Sequence, residues 1–421
     1  MNLHANLQSA PPCIVLGLET QIGLGIVREL GRAGVRVIGI AQEAHAIGLT
    51  SRYLTRALVV TEPRSAKLIN MIQALGEELG DCCLIAVSEA NLVWLAANRS
   101  RLGRVRPITP SMAAMEIVLD KQRTLCVARA LGMRTPKSSE PTSLDDVLHL
   151  AASARFPVVL KWKDPARVAH SLDAAALHAI KAEYIYSAAE LVAVGRRYAP
   201  IGKWPLVQTY CPGYGLGQFF YMHQGECLRR FQHRRIAEWP PEGGFSSVCD
   251  AVPLGEHTGL QAQSIALLQA IGWEGVAMVE YRFDPVTGKA VLMEINGRYW
   301  GSYPLAVACG AGFAVIAYCL HSHLPLPTLP PMRQDVRCRM VATELKRLVR
   351  ICFQPQLIVD RAFKIRKWSE LTRFIVDFFR PRVCYYVWSV ADPRPFLADI
   401  ANVVRKAIHR DESAPPVQKT G

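Results

Sequence analysis

The stretch "VLMEINGRYW", residues 291–300, carries Glu294, Asn296 and Arg298 at every second position of an otherwise apolar run. Alternate side chains of a strand share a face. A carboxylate, an amide and a guanidinium therefore line one side, and Val291, Met293, Ile295 and Gly297 the other. Burying such a row is costly unless each group finds a partner. Either a bound ligand satisfies them or they face water.

Just upstream, "GVAMVEYRFDPVTGK", 275–289, reads as the first arm of a β-hairpin turning at Asp284-Pro285 and Gly288. That turn sets Glu280 roughly opposite Glu294. Two carboxylates and the Asn296 oxygen on neighbouring strands make an oxygen-rich pocket suited to Mg²⁺, a hard cation that takes carboxylates together with phosphate oxygens and water. Arg298, at the strand end, can face the same phosphates. Without a metal the two carboxylates repel, and one should hold a proton. The competing reading is a structural hairpin neutralised by Arg282 and Arg298.

Other phosphate-binding groups lie along the chain. "LDKQRTLCVARALGMRTP", 119–136, puts Lys121 at the start of a helix, and "FPVVLKW", 156–162, puts Lys161 at a strand end. Two ammonium groups from different elements can neutralise a polyphosphate. "LVQTYC" offers a strand edge, Gln208, Thr209, Tyr210 and Cys211, whose backbone can pair with the edge of an adenine.

Composition bounds the rest. With 421 residues, half of them apolar and 20% charged, the chain is globular and long enough for two or three domains. Its twelve cysteines form no C-x-x-C pair, so a reduced chain with cysteines acting as small hydrophobes is expected. The start, "MNLHANLQSAPPC", has neither the basic opening nor the apolar core of a secretion signal, and a cytoplasmic location follows as an expectation. "SYPLAVACGAGFAVIAYCL", 302–320, imitates a membrane span but is broken by Pro304, Gly310 and Gly312; two short buried helices are expected there.

Residues 13–40, "CIVLGLETQIGLGIVRELGRAGVRVIGI", read as strand, glycine turn, helix and strand, and "TRALVV" and "CCLIAVSE" add further strands. A small doubly wound domain over 12–110 results. Gly17, Gly23 and Gly25 do not make a G-x-G-x-x-G, so a dinucleotide site is a rival only; glycines packing helix on strand explain the turn equally well. The net charge of +14 is uneven: from 331 onward there are 18 Lys and Arg against 9 Asp and Glu. Such a tail suits a solvated surface or a weak contact with the inner membrane surface; no specific nucleic acid is expected. "KWSELTRFIVDFFRPRVCYYVWSVADPRPFLADI" mixes aromatic and basic residues, which suits an interfacial segment, but an aromatic stripe at helical spacing is read first as core packing. The last residues, "RDESAPPVQKTG", read as disordered.

In their order and spacing, "LDKQRT…LGMRTP", "FPVVLKW", "VQTYCPG", "MVEYRF" and "MEINGRYWGS" resemble the ATP-grasp superfamily, specifically carboxylate–amine (or thiol) ligases of the carbamoyl-phosphate-synthase-like type. The resemblance covers about 12–325. It implies an α/β fold, α+β in its ATP-binding part: a Rossmann-like domain over 12–110, an ATP-grasp domain over 111–325, and a basic helical extension over 326–421. It also implies Glu280, Glu294 and Asn296 as Mg²⁺ (or Mn²⁺) ligands, Lys121 and Lys161 on the ATP phosphates, and Gln208 to Cys211 as the adenine-reading hinge. Arg298 would stand at the transferred phosphate. "QHRRIAEWPPEGGFSS", 232–247, resembles the substrate-side loop, with Arg234 or Arg235 as a contact. The activity implied is ADP-forming ligation of a small carboxylate to an amine. Two departures stand out: "KDPARVAHSLD" after Lys161 lacks phosphate-loop glycines, and "PGYGLGQ" lacks an acidic residue for ribose. A non-catalytic ATP-binding or regulatory module, with the basic tail docking a partner or a membrane surface, is the alternative.

Overall fold

The computed structural model describes residues 7, 9–162, 165–177 and 182–412. The chain opens with β1 (Cys13–Leu16), α1 (Gln21–Arg32), β2 (Val37–Ala41), β3 (Arg56–Val59), α2 (Ala66–Leu79), β4 (Cys82–Ala86), α3 (Glu89–Ala97) and β5 (Val105–Pro107). These strands form an all-parallel sheet in the order β3-β2-β1-β4-β5. The sheet is covered on both faces, which is why β1, β2 and β4 are apolar throughout.

The glycines after β1 serve packing. A Cβ on Gly23 would sit 2.1 Å from the Gly17 carbonyl oxygen, and one on Gly25 would sit 3.0 Å from the Tyr303 ring. Thr20 caps α1 by accepting from the Ile22 N–H.

Two helices follow, α4 (Met112–Leu119) and α5 (Lys121–Ala130), joined at Asp120. Asp120 ends the first and caps the second, accepting from the N–H groups of Gln122 and Arg123.

A four-stranded sheet follows, built from β6 (Ser138–Ser139), α6 (Leu144–Ser153), β7 (Val158–Lys161), α7 (Pro165–Ala174), β8 (Glu183–Ile185), α8 (Ala188–Tyr198) and β9 (Leu206–Thr209). Its order is β6-β9-β7-β8, and Val147, Leu160, Ile185, Leu191 and Val207 give it a small core of its own. The segment after Lys161, read as a glycine-poor loop, is largely the helix α7, with Lys163 and Asp164 outside the described residues.

The third sheet has seven strands. β10 (Tyr214–His223), β11 (Glu226–Trp239), β12 (Phe245–Ala251), α9 (Thr258–Ile271), β13 (Gly275–Asp284), β14 (Lys289–Asn296), α10 (Tyr303–Cys309) and α11 (Phe313–His321) build most of it. β15 (Arg337–Arg339), α12 (Val341–Phe353), α13 (Lys367–Val376), β16 (Val383–Tyr385) and α14 (Arg394–Glu412) complete the chain. The strand order is β14-β13-β10-β11-β12-β15-β16.

Three expectations change here. The stretch after 325 is no appendage, because β15 and β16 extend the central sheet: Cys249 pairs with Cys338, and Cys338 with Cys384. Arg337 secures the join by bonding both Asp250 and Asp377 at 2.6 Å with little exposure. Residues 232–247 are not a loop but the end of β11, a short turn and the start of β12. The aromatic stripe is largely outside the core, since Trp368 and Phe379 face solvent. The tail residues read as disordered lie outside the described residues from 413 onward.

The span-like stretch 302–320 is α10 and α11, bent by 86° and almost wholly buried. Among the described residues no single helix is long and apolar enough to cross a membrane. Gly310 and Gly312, both at φ +75°, make the corner. Glu29 of α1 welds it to the first sheet, accepting from the Tyr303 hydroxyl and from the N–H groups of Ala314 and Val315 at the start of α11.

Candidate active site

The site is built on the β13–β14 hairpin, where Glu280 and Glu294 are Cα partners on antiparallel strands. Immediately beyond this pair the register shifts, and Tyr281 lies opposite Leu292. Met293 is the extra residue of a β-bulge. The Leu292 N–H bonds the Arg134 carbonyl instead of β13. The bulge breaks the strict alternation expected for 291–297: Leu292 and Ile295 both enter the core and Val291 does not. It also leaves Glu294 beside Glu280 on the open face.

Each carboxylate holds a cation of the protein's own. Arg235 of β11 donates to Glu280 at 2.6 Å, and Lys121 of α5 lies 2.6 Å from Glu294. The pairing that neutralises the hairpin is thus with Arg235 and Lys121, not with Arg282 and Arg298. Arg235 also bonds Glu238 and the Gly244 carbonyl, and Arg282 reaches Glu238 at 3.5 Å. Asn296 donates to Glu294 at 3.2 Å and accepts from Arg298 at 3.2 Å, while Arg298 lies 3.6 Å from Glu89 at the start of α3. Glu89 follows β4, so the carboxyl ends of the first sheet's strands face the hairpin, where doubly wound sheets place their ligands.

The electrostatics show how crowded the site is. Burial pushes the Glu280 carboxyl above its ordinary range and Glu294 adds to the push, against the pull of Arg235. For Glu294, burial is outweighed by the Lys121 ammonium and its hydrogen bond, so the carboxyl is held low. Lys121, opposed by burial but favoured by Glu294, is held above the lysine range. Lys161, at the end of β7, is held below it by burial and then by Lys121, with Glu294 and Glu280 pulling the other way.

The structure thus gathers Lys121, Lys161, Arg235, Glu280, Glu294, Asn296 and Arg298. It leaves out Arg234, which points to the other face of β11 and lies 3.6 Å from Asp250, 51% exposed. The hinge differs from an open strand edge at its first half. β9 lies between β6 and β7, Gln208 pairs with Ser138 and Val159, and the Thr209 N–H bonds the Lys137 carbonyl. Only Tyr210 and Cys211 run on past the paired residues, and the Tyr210 N–H contacts the Pro157 carbonyl at 3.4 Å.

Sequence reasoning missed Glu89, Glu238 and Asp360. Glu89 was legible as the residue after an N-capping serine at the end of β4. Glu238 stands three residues from Arg235. Asp360 had no local signal: it accepts from the hydroxyls of Tyr186 and Tyr210, so a segment 150 residues away in sequence abuts the hinge.

Among the described residues no three or more His, Cys, Asp or Glu side chains gather as a metal cage. Two facing carboxylates and an amide oxygen still fit a hard divalent ion that brings phosphate oxygens with it. The two 2.6 Å cation contacts show that this face attracts positive charge.

No family model and no curated protein sequence matches the chain. Solved structures do. A biotin carboxylase from Campylobacter jejuni in a β-γ-ATP complex superposes with TM-score 0.59 at 15% identity, covering 79% of this chain and 75% of that one. An ADP complex of the N5-carboxyaminoimidazole ribonucleotide synthetase PurK gives 0.57 at 12%, covering 78% and 80%. An L-amino acid ligase from Bacillus licheniformis gives 0.54 at 16%, covering 78% and 79%. Over 78–79% of its length the chain therefore shares the fold of these structures, the fold that the ATP-grasp resemblance of its sequence implies.

Proposed function

We propose that the chain is an ATP- and Mg²⁺-dependent (or Mn²⁺-dependent) ligase that joins a small-molecule carboxylate to an amine and releases ADP and phosphate. The observation that carries this reading is the Glu280–Glu294 pair on adjacent strands with Lys121, Lys161, Arg235 and Arg298 around it. Structures of the same fold include a biotin carboxylase with β-γ-ATP, PurK with ADP and an L-amino acid ligase.

The chemistry needs no side-chain nucleophile. A substrate carboxylate oxygen attacks the γ-phosphorus of ATP, breaking the bond to the β-phosphate bridging oxygen and giving an acyl phosphate and ADP. The amine then attacks the acyl carbon, loses a proton, and expels phosphate as the amide forms. Lys121 and Lys161 balance polyphosphate charge, and Arg298 offers its guanidinium to the transferred phosphoryl group. Glu280, Glu294 and Asn296 would hold the divalent ion, which would supply positive charge against the polyphosphate. Arg235, buried and already bound to Glu280 and Glu238, orients the hairpin carboxylate, whereas Arg298, 30% exposed, is the more open of the two guanidinium groups.

The second reading is a nucleotide-binding module without turnover. The satisfied Arg235–Glu280 and Lys121–Glu294 pairs favour it, since such a site is complete without a metal. An ATP-consumption screen with Mg²⁺ across amino acids, sugar acids and acyl carriers tests both. Release of ADP dependent on one acid and one amine supports the ligase. A nucleotide-induced thermal shift with no ADP release under any pair supports the module.

A further inference from the structure

The C-terminal helices are amphipathic in the inverted sense. α13 turns its charges inward: Glu370 bonds Arg347 and Arg373, and Asp377, one residue beyond the helix, bonds Arg337. Phe374 and Phe378 lie against the buried Arg339 guanidinium at 5.3 and 4.3 Å. The opposite side of the same helix carries Trp368, Ile375, Val376 and then Phe379, all exposed. At 100° per residue these positions fall on one stripe, on the far side from Glu370 and Asp377. Trp368 is 81% exposed and Phe379 84%.

α12, packed against α13 through the Arg347–Glu370 pair, repeats the inversion. Thr343, Glu344, Arg347 and Ile351 are buried, while Leu345, Val349 and Phe353, spaced four apart, face outward. A helix at a water interface normally does the reverse. Exposed apolar faces of this kind mark a surface that something covers.

The rim says what covers it. Lys364, Arg366 and Lys367 lead into α13, Arg380 and Arg382 follow it, and all five are exposed. The chain from 331 carries twice as many basic as acidic residues. A second copy of the chain would set this cationic rim against its own like. An anionic bilayer neutralises it, and aromatic side chains flanked by lysine and arginine are the chemistry of the headgroup region.

We propose that the exposed face of α13 docks on an anionic lipid surface, with Trp368 and Phe379 entering the headgroup layer and Lys364, Arg366, Lys367, Arg380 and Arg382 resting on lipid phosphates. This is independent of the ligase reading.

The test is flotation of the full chain with phosphatidylcholine vesicles, with and without phosphatidylglycerol. Binding should require phosphatidylglycerol and fall as salt is raised. The double variant Trp368→Ser/Phe379→Ser should lower the partition coefficient at least about tenfold, and Lys364→Glu/Lys367→Glu by a similar factor. Both pairs are exposed, so the melting temperature should stay at the wild-type value, and a variant that fails to fold leaves the other to decide. Absence of binding to phosphatidylglycerol vesicles overturns the proposal, as does equal partitioning of wild type and a folded variant. So does a wild-type dimer, seen by analytical ultracentrifugation, that the Ser variant converts to a monomer without any vesicle binding.

Discussion

Glu280 and Glu294 face each other across one antiparallel pair, and each is bonded at 2.6 Å to a cation from a different element, Arg235 of β11 and Lys121 of α5. The hairpin, a central strand and a distant helix are thereby tied together at one point. Removing any of the four charges unbalances the other three.

Glu294→Ala leaves Lys121 without its partner and removes one donor from the oxygen face. ADP release should fall more than about a hundredfold, because the group acts where phosphoryl charge must be balanced. Circular dichroism should be unchanged, since Glu294 is 30% exposed and its loss buries nothing new. Turnover near wild type would remove Glu294 from the site.

Lys161→Ala should act on binding first. Burial and then the nearby Lys121 ammonium hold the Lys161 pKa below the lysine range, and polyphosphate is the partner that would stabilise both charges. Nucleotide affinity, read by calorimetry, should weaken about tenfold, which is the scale of one charge-assisted contact. An unchanged dissociation constant would place Lys161 outside the phosphate site.

Arg337→Ala leaves Asp377 buried without its cation and Asp250 with only the 3.6 Å contact to Arg234. The loss in unfolding free energy should be about 3–5 kcal/mol by urea denaturation, as for a broken buried ion pair. For the same reason a chain ending before β15 should not fold cleanly, since it exposes the β12 edge as well.

His321 supplies a pH signature. Burial, then the nearby His223, Arg99 and His323 charges, lower its pKa from 6.5 to about 4. Between those values the unfolded chain binds the proton and the folded chain does not, so stability rises with pH there and is lost as pH falls from 6.5 towards 4. The loss should be on the order of 2 kcal/mol after allowance for partial exposure. His321→Gln should flatten the urea midpoint across that window; an equally steep profile would assign the slope elsewhere.

Glu29 titrates in the opposite sense. Burial raises its carboxyl pKa above 4.5 despite the Tyr303 and backbone bonds. The folded state therefore holds its proton longer, and this contribution to stability is present at low pH and lost as pH rises through the raised value. Glu29→Gln should remove that slope while keeping an acceptor for the Tyr303 hydroxyl.

The elements with strong local periodicity were readable directly. β1, β2 and β4 are short continuous apolar runs, and the Asp284–Gly288 turn brings Glu280 within one residue of Glu294 across the hairpin; the bulge at Met293 makes them direct partners. The lysines were placed by a helix start at Asp120 and by a strand end, both of which follow from neighbouring residues. The sequence alone thus determined that a parallel sheet precedes a carboxylate-bearing hairpin with two lysines upstream.

Tertiary structure decided which cation each carboxylate takes, because Arg235 and Lys121 reach the hairpin only after β11 and α5 pack beside it. It decided the bulge at Met293, which depends on Arg134 claiming the Leu292 N–H. It decided that β15 and β16 belong to the central sheet and that α12 and α13 turn their charges inward, since the buried partners Asp250 and Arg339 lie on β12 and β15. Pairing between residues far apart in sequence has no local period to announce it; it is selected by which buried charges and apolar faces can be satisfied together once the chain is compact.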